Sequence, residues 1–478
     1  EDGSLIQDSG LFSARWYLRT YPDVRDAKVD PLQHYLQHGA FEKREPGPDF
    51  NTPFYLAQCP QAADSSWSPL LHYLKAGKRL GHKAGHPILP GALSHRAGRP
   101  TILLCGHAAD VQLFGAERSL LDVLDAFTSI NVNVLVSVPS TANLVYIKQL
   151  QQRSQEVFAV PCGWWSATEE PCEQTVARFS QIIRDHSVVA VQANTIMLRE
   201  PLIAARQANI PALVHVHESL EHDADICRSI GLPAEQIRDQ VIQNVDHVLA
   251  NSAFTANVFG SPRNTHVIAN TVDLKLFDIA NTVQPDCITI ALISSNLPKK
   301  GIVDLVAIAR LLESTSSARL LLIGPQNQHT AALRAHQIAG TLPANLVLAG
   351  YSDQPLEAIS QANIVLNLSH CQETFGRTLL EAMAARRTVL AYKWGALPEL
   401  IQDGKNGFLL PLGDVKAVAD KLRWLCENPK KINLMGESGR RLARKKFSPA
   451  HIRKQLADAY FEVLGGRESF MPAKAPHR

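Results

Sequence analysis

From residue 101 to residue 392 the chain repeats one pattern: a short apolar run, a loop with glycine or polar residues, then apolar residues at helical spacing. The runs fall at 101–105, 132–138, 188–192, 213–217, 247–250 and 266–268, and again at 288–293, 320–323, 346–348, 364–368 and 389–392. Runs this short, apolar throughout rather than alternating, suit strands buried on both faces. Strands that alternate with helices build parallel sheets covered on both sides, so the class is α/β. The 478 residues exceed what one core can organise, and length alone suggests about three domains. The expected division is a helical module over 1–98, α/β domains over 99–284 and 285–445, and a C-terminal helix with a tail over 446–478.

The stretch richest in chemistry hangs from the run at 364–368. It reads Glu373-Thr374-Phe375-Gly376-Arg377-Thr378, and then Leu379, Leu380, Met383 and Ala384 mark one face of a helix. A helix that starts after a strand and a glycine loop points free N–H groups at an anion. Glu373 and Glu381 flank that start. Carboxylates accept from hydroxyls while amides donate to phosphate, and a sugar nucleotide carries both groups. The plainer reading of that spacing is two solvated or capping acids. The loop after 288–293 carries Ser295, Asn296, Lys299, Lys300 and Gly301 just before another helix. Cation, hydroxyl and helix dipole together suit a diphosphate, although a solvated charged turn has the same composition.

In the first half, Gly115 opens a helix with Leu120, Leu121 and Leu124 on its core face, and its lack of a side chain admits a close ligand. In open α/β sheets ligands gather at the carboxyl ends of strands. There His217 and Glu218 are site candidates, whereas His215, on the same strand face but deeper, is expected to be packed. Asn251 and Ser252 follow the run at 247–250 and serve either as helix caps or as ligand contacts.

Other classes are excluded by composition. A net charge of 48 − 45 = +3 gives no basis for nucleic-acid binding, and the eight cysteines form no CxxC pair that would suggest structural zinc. Free thiols in a reducing cytosol are the expectation. No run is long enough for a membrane-spanning helix, and no signal-peptide pattern is visible at the start. The cationic run Arg440–Lys446 reads as a solvated face or as a contact for an anionic membrane surface.

Residues 11–87 contain a duplication. Trp16-Tyr17-Leu18, Pro22, Pro31-Leu32, His34-Tyr35-Leu36 and Gly39 recur as Phe54-Tyr55-Leu56, Pro60, Pro69-Leu70, His72-Tyr73-Leu74 and Gly77, at a constant offset (72 − 34 = 38). Each copy reads as a helix with an aromatic pair, a proline turn and a second helix stopped by glycine. Units this short must pack on each other or on a neighbour. His34 and His72 are expected to be hydrogen-bonded structural residues rather than metal ligands. Residues 87–100, rich in Gly, Pro and His, read as a linker.

Taken together, Gly115-Ala116-Glu117-Arg118, Val245–Ser252, Lys300-Gly301 and Glu373–Ala384, with Gly395, Glu399 and Gly407, resemble the retaining glycosyltransferases of GT-B fold, family 4, over about residues 101–465. The duplicated module resembles one found on some bacterial enzymes of surface-polysaccharide synthesis. The resemblance implies two facing Rossmann-like domains, with a C-terminal helix crossing back to the first. It implies His217, Glu373 and Lys300 as the catalytic set, Glu381 on the ribose, and Phe375, Gly376, Arg377, Thr378, Ser295, Asn296 and Lys299 around the donor. Gly115, Glu117, Glu218 and Asn251 would line the cleft or acceptor side. No cofactor and no metal are implied. The partners would be a nucleotide sugar and a glycan, lipid-linked or protein-linked acceptor. The expected location is the cytoplasm, with a peripheral hold on the inner membrane face. Three departures from the pattern stand out: Ser295 stands where the family has arginine, Arg386 and Thr388 replace a Gly and a Pro and so should change that turn, and Ala269 and Thr271 replace a Pro and a Gly. A nucleotide-sugar 2-epimerase on a similar fold and a glycan-binding scaffold with an inactive cleft are the rival readings.

Overall fold

The computed structural model describes every residue except 1, 86, 108–112, 114, 222, 261–263, 316, 353 and 466–478. Phe114, which precedes Gly115 in the sequence, and the tail expected after the C-terminal helix lie outside the described residues. The chain forms two compact units. The first takes Glu1–Val216, Asp225–Val248 and Ala457–Arg478; the second takes His217–Ala224 and Leu249–Leu456.

The first unit begins with the duplicated module, and its two copies share one aromatic core that includes Tyr17, Tyr35, Phe50, Tyr55 and Leu70. The repeat is a repeat of local physics. Ser13 and Asn51 cap the first helix of each copy, Asp30 and Ser68 the second. Each copy also joins its tyrosine to its histidine, Tyr17 to His34 Nδ1 at 3.1 Å and Tyr55 to His72 Nδ1 at 2.6 Å. The glycine that ends each copy is obligatory: a Cβ on Gly39 would lie 1.9 Å from the Tyr17 hydroxyl, and one on Gly77 2.2 Å from that of Tyr55. Both histidines are thus hydrogen-bonded within their own repeat.

The strands that follow are β1 (Ile88–Pro90), β2 (Thr101–Cys105), β3 (Asn133–Val138), β4 (Glu156–Ala159), β5 (Val188–Ala193) and β6 (Ala212–Val216). They run in the order β1-β4-β3-β2-β5-β6. All neighbours are parallel except β1, which pairs antiparallel with β4. The stretch read as a linker is therefore ordered. Beyond the β1 ladder, Gly91 N–H donates to Gln155, and the Asn133 side chain binds the Arg96 and Arg99 carbonyls. A three-residue edge strand ending in proline leaves no periodicity to detect. Tyr460, from the C-terminal helix, packs edge-on against Phe127 and donates to Gln192 at 2.8 Å in the interior of this unit.

The chain leaves the first unit within β7 (His247–Ala250), and β8 (Thr265–Val267) lies in the second. The second sheet takes β9 (Ile288–Ile293), β10 (Ala318–Ile323), β11 (Leu346–Gly350), β12 (Ile364–Asn367), β13 (Thr388–Tyr392) and β14 (Gly407–Leu410). Its order is β11-β10-β9-β12-β13-β14, parallel throughout. Ile302, Leu305, Ile308 and Leu312 are buried on it, as their spacing predicts. Helices Val415–Glu427 and Pro429–Lys446 complete the unit. Arg387 is fully buried with its guanidinium on three carbonyls, those of Ala280, Ile359 and Ala385, and burial pulls its pKa down to about 10.

The module is fastened to the rest of the first unit by a buried charge. Arg19 Nη2 lies 2.6 Å from Glu200 Oε1, with side chains 7% and 0% exposed, and Glu169 stands 3.7 Å away. Removing one member of a buried pair strands the other, at a cost of about 3–5 kcal/mol. Arg19→Met should lower unfolding stability by that order in chemical denaturation. Arg19→Met with Glu200→Leu should recover much of the loss.

Candidate functional site

In a doubly wound sheet, the crevice lies where successive connections leave a strand pair in opposite directions. In the second sheet that pair is β9 and β12. Their carboxyl ends carry the two loops singled out from the sequence, 294–301 and 368–376. Each loop ends in a glycine at left-handed φ that starts a helix, Gly301 (φ 82°) before Ile302–Leu311 and Gly376 (φ 90°) before Arg377–Ala384. The loops are in contact: a Cβ on Gly301 would lie 2.2 Å from the Leu368 carbonyl oxygen.

That contact brings Lys300 to Glu373. Nζ donates to Oε1 at 2.7 Å, and the Ser369 hydroxyl donates to the same oxygen at 2.6 Å. Burial alone would raise the Glu373 carboxyl, but the Lys300 ammonium and the side chains of Ser369 and Asn367 outweigh it and hold it below the usual carboxylate range. Burial opposes the charge on Lys300 too, and there Glu373 and Cys371 prevail, holding the ammonium above an ordinary lysine. Eight residues on, buried Glu381 accepts from Arg377 Nε at 3.1 Å. Lys299, more exposed, faces Asp223 at 3.5 Å. Neither acid of the pair is a solvated cap, and Lys300 is not part of a solvated turn.

His217 sits one residue beyond β6 rather than on it, and it belongs to the second unit. Its carbonyl accepts from Thr374 Oγ1 at 2.8 Å, its N–H donates to Glu218 Oε2 at 2.8 Å, and Asn251 Nδ2 lies 3.4 Å from ring Nδ1. Asn251 Nδ2 also reaches Thr374 Oγ1 at 3.1 Å, while Ser219 donates to Gln372. His215 is buried, as expected. The two roles open at 251–252 separate: Ser252 caps the helix Ala253–Val258, and Asn251 joins the His217–Thr374 network. Glu399 clamps the first two amides of that helix, accepting from Ala253 and Phe254. The second unit thus gathers His217, Glu218, Asn251, Lys299, Lys300, Glu373 and Thr374.

Other expected residues lie differently. Asn296 is buried and donates to the Pro325 carbonyl, so its side chain braces its own loop, and the Ser295 carbonyl is tied to Asn327. Phe375 is buried edge-on against Phe447, and Thr378 is half-buried in the first helical turn. Asp246, in the matched Val-Asp motif, accepts from Ala212 N–H at 2.8 Å and so holds the start of β6. Arg386 keeps the left-handed turn usual for glycine (φ 61°), although an arginine occupies it.

Gly115 and Glu117 lie in the first unit. A Cβ on Gly115 would meet no described atom. Glu117 is buried and accepts from His107 Nε2 at 3.0 Å. The first sheet's own switch point, β2 with β5, leads to His107 and to buried Asn194, which donates to the Ala116 carbonyl. Sequence reading passed over both. They follow apolar runs just as His217 does, and that signal was sufficient to find them.

Residues 280–442 match the family described as "Glycosyl transferases group 1". The N-acetyl-alpha-D-glucosaminyl L-malate synthase of Bacillus anthracis is 31% identical over 173 residues, 36% of this chain and 44% of that protein. The MMP alpha-(1->4)-mannosyltransferase of Mycolicibacterium hassiacum is 31% identical over 216 residues, 43% of this chain and 50% of that one. The chain thus spans about half the length of the curated relatives it matches. Among solved structures, Anabaena Alr3699/HepE in complex with UDP superposes with a TM-score of 0.62 at 22% identity, over 76% of this chain and all of that one. The fold is therefore GT-B, two parallel Rossmann-like sheets preceded by a helical region. Within it, residues 280–442 carry the match to the glycosyl transferases group 1.

The Lys300–Glu373 pair sets a pH window. Glu373 sits below its ordinary value of 4.5, so its contribution to stability is complete above that pH and is lost as pH falls through the lowered value. Lys300 sits above 10.5, so its contribution is complete below that pH and is lost as pH rises through the raised value. Stability from the pair should be flat between these limits. In Lys300→Met burial is opposed only by the Ser369 and Asn367 side chains, and the Glu373 carboxyl should titrate higher than in the wild type in a 13C-carboxyl NMR titration.

Proposed function

We propose that the chain is a glycosyltransferase that moves a sugar from a nucleotide-sugar donor to a glycan, lipid-linked or protein-linked acceptor, with retention at the anomeric carbon and without a metal. One observation carries the reading: a Gly376-started helix flanked by two acids, each already held by its own cation, Glu373 by Lys300 and Glu381 by Arg377. Glu381 accepts from the ribose hydroxyls and Glu373 from hydroxyls of the transferred sugar. Lys300, Arg377 and the amides that follow Gly376 receive the diphosphate. The bond from the anomeric carbon to the diphosphate breaks, the acceptor oxygen bonds to that carbon, and the acceptor's proton leaves with the diphosphate. Stabilising the departing charge is the catalytic work. Residues 285–445 form the donor side and 99–284 the acceptor side.

Relatives point to a setting. The "Capsular polysaccharide biosynthesis glycosyltransferase CapM" of Staphylococcus aureus is 26% identical over 166 residues, 34% of this chain and 43% of that protein. We place this chain likewise in bacterial surface-glycan synthesis, at the inner face of the cytoplasmic membrane. No helix among the described residues is long and apolar enough to cross a membrane. Of the cationic run, Arg440 donates to the Phe277 carbonyl, while Arg441, Arg444 (over the Phe277 ring), Lys445 and Lys446 are the exposed members that would meet anionic lipid.

Incubation with UDP-, GDP- and dTDP-sugars and acceptor glycans should release nucleoside diphosphate with and without EDTA. Lys300→Met and Glu381→Ala should each cut that release by about 100-fold or more, the scale of losing one preorganised charge contact. Interconversion of nucleotide sugars without release would assign an epimerase. An inverted product would overturn retention.

A further inference from the structure

The contacts of His217 determine more than its place. Thr374 Oγ1 lies 2.8 Å from the His217 carbonyl oxygen, an acceptor with no hydrogen to give, so the single hydroxyl hydrogen of Thr374 points there. Toward Asn251, 3.1 Å away, Thr374 Oγ1 can then only accept, so the Asn251 amide turns its NH2 to that side. At the opposite end the Thr255 hydroxyl lies 2.8 Å from Asn251 Oδ1 and 3.2 Å from the Thr374 carbonyl, and the shorter contact gives its hydrogen to Asn251. The second hydrogen of the same NH2 faces His217 Nδ1 at 3.4 Å. On these contacts Nδ1 is the acceptor, which would place the proton of the neutral ring on Nε2. Asn251 is only 2% exposed, so water does not compete for this arrangement.

We propose that Thr374 and Asn251 are positioning residues that hold His217 in its Nε2–H tautomer, so that the ring presents an N–H donor to a hydroxyl of the bound sugar. The functional half rests on the glycosyltransferase reading; the tautomer does not. Thr374 lies next to Glu373, so the loop that receives the sugar also sets the proton on the histidine. Glu399, by clamping the amides of Ala253 and Phe254, fixes the helix start beside Asn251.

The test is 15N NMR on the full chain labelled at histidine, with no donor present and with His217 assigned by its loss in His217→Gln. The wild type should show a protonated Nε2 and an unprotonated Nδ1. In Asn251→Asp the carboxylate can only accept, and the ring should switch to Nδ1–H. Thr374→Val frees the Asn251 amide to turn and should add Nδ1–H population, while Thr374→Ser should restore the wild-type pattern. With a donor and acceptor in hand, Asn251→Asp should lower kcat by about 100-fold with donor KM little changed, and Thr374→Ser should retain activity. An Nδ1–H ring in the wild type, or the same tautomer in all four proteins, overturns the proposal. A correct tautomer in a chain that transfers no sugar would instead overturn the functional reading.

Discussion

The pairing of β12 against β9 is the constraint on which the site depends. Strands 364–367 and 288–293 are separated by two intervening strands and three α-helices, yet their register sets Ile290 opposite Ile364 and Leu292 opposite Leu366. Connections then leave this pair to opposite sides, so two unrelated loops end at one crevice. The loops are not merely close. Gly301 packs against the Leu368 carbonyl without room for a Cβ, and Gly395 packs as tightly over the backbone of Glu373. Substituting Gly301 would separate the loops, and substituting Gly395 would displace the Glu373 backbone, before either altered any charge. The Lys300–Glu373 pair is a consequence of that backbone approach, and it is partly buried because the approach is close.

Much of this was legible in the sequence, for a physical reason. Strands buried on both faces are short apolar runs, and helices on a sheet carry their apolar residues at fixed spacing; the runs at 101–105, 247–250 and 288–293 coincide with β2, β7 and β9. The duplicated module was legible because each copy solves the same problem with the same residues, a tyrosine, a histidine and a glycine at constant intervals. Less legible were features that depend on pairing at long range. β1 and β4 are short, and β1 is defined by its antiparallel partner rather than by its own residues. Strand β6 stops at Val216 because the His217 backbone turns to meet Glu218 and Thr374, residues that no local pattern ties to it. Arg386 shows the limit from the other side. An arginine there suggested a changed turn, but the turn kept its left-handed residue. It is held by Asn281 on its carbonyl and by close packing of Gly436. Surrounding structure can impose such a conformation at a cost of about 1–3 kcal/mol.

Charge balance sharpens what the site can select. Around the two loops Lys299 faces Asp223, Lys300 faces Glu373 and Arg377 faces Glu381. The named cations and acids cancel, so these pairs exert no net pull on an incoming anion. A phosphate alone would have to draw Lys300 or Arg377 away from a carboxylate that is largely shielded from water, and the abandoned carboxylate would then be poorly solvated. A sugar alone would bring hydroxyls to carboxylates whose acceptor sites are already partly filled. A ligand that brings both avoids the penalty, because its phosphates take up donor capacity of the cations while its hydroxyls satisfy the carboxylates. Selection for the joined molecule over either half follows from pre-pairing, without any further specific contact. The same logic accounts for both acids standing beside a helix start that favours anions: each is neutralised in place, and under the proposed function each would be released to a hydroxyl as its cation turned to phosphate.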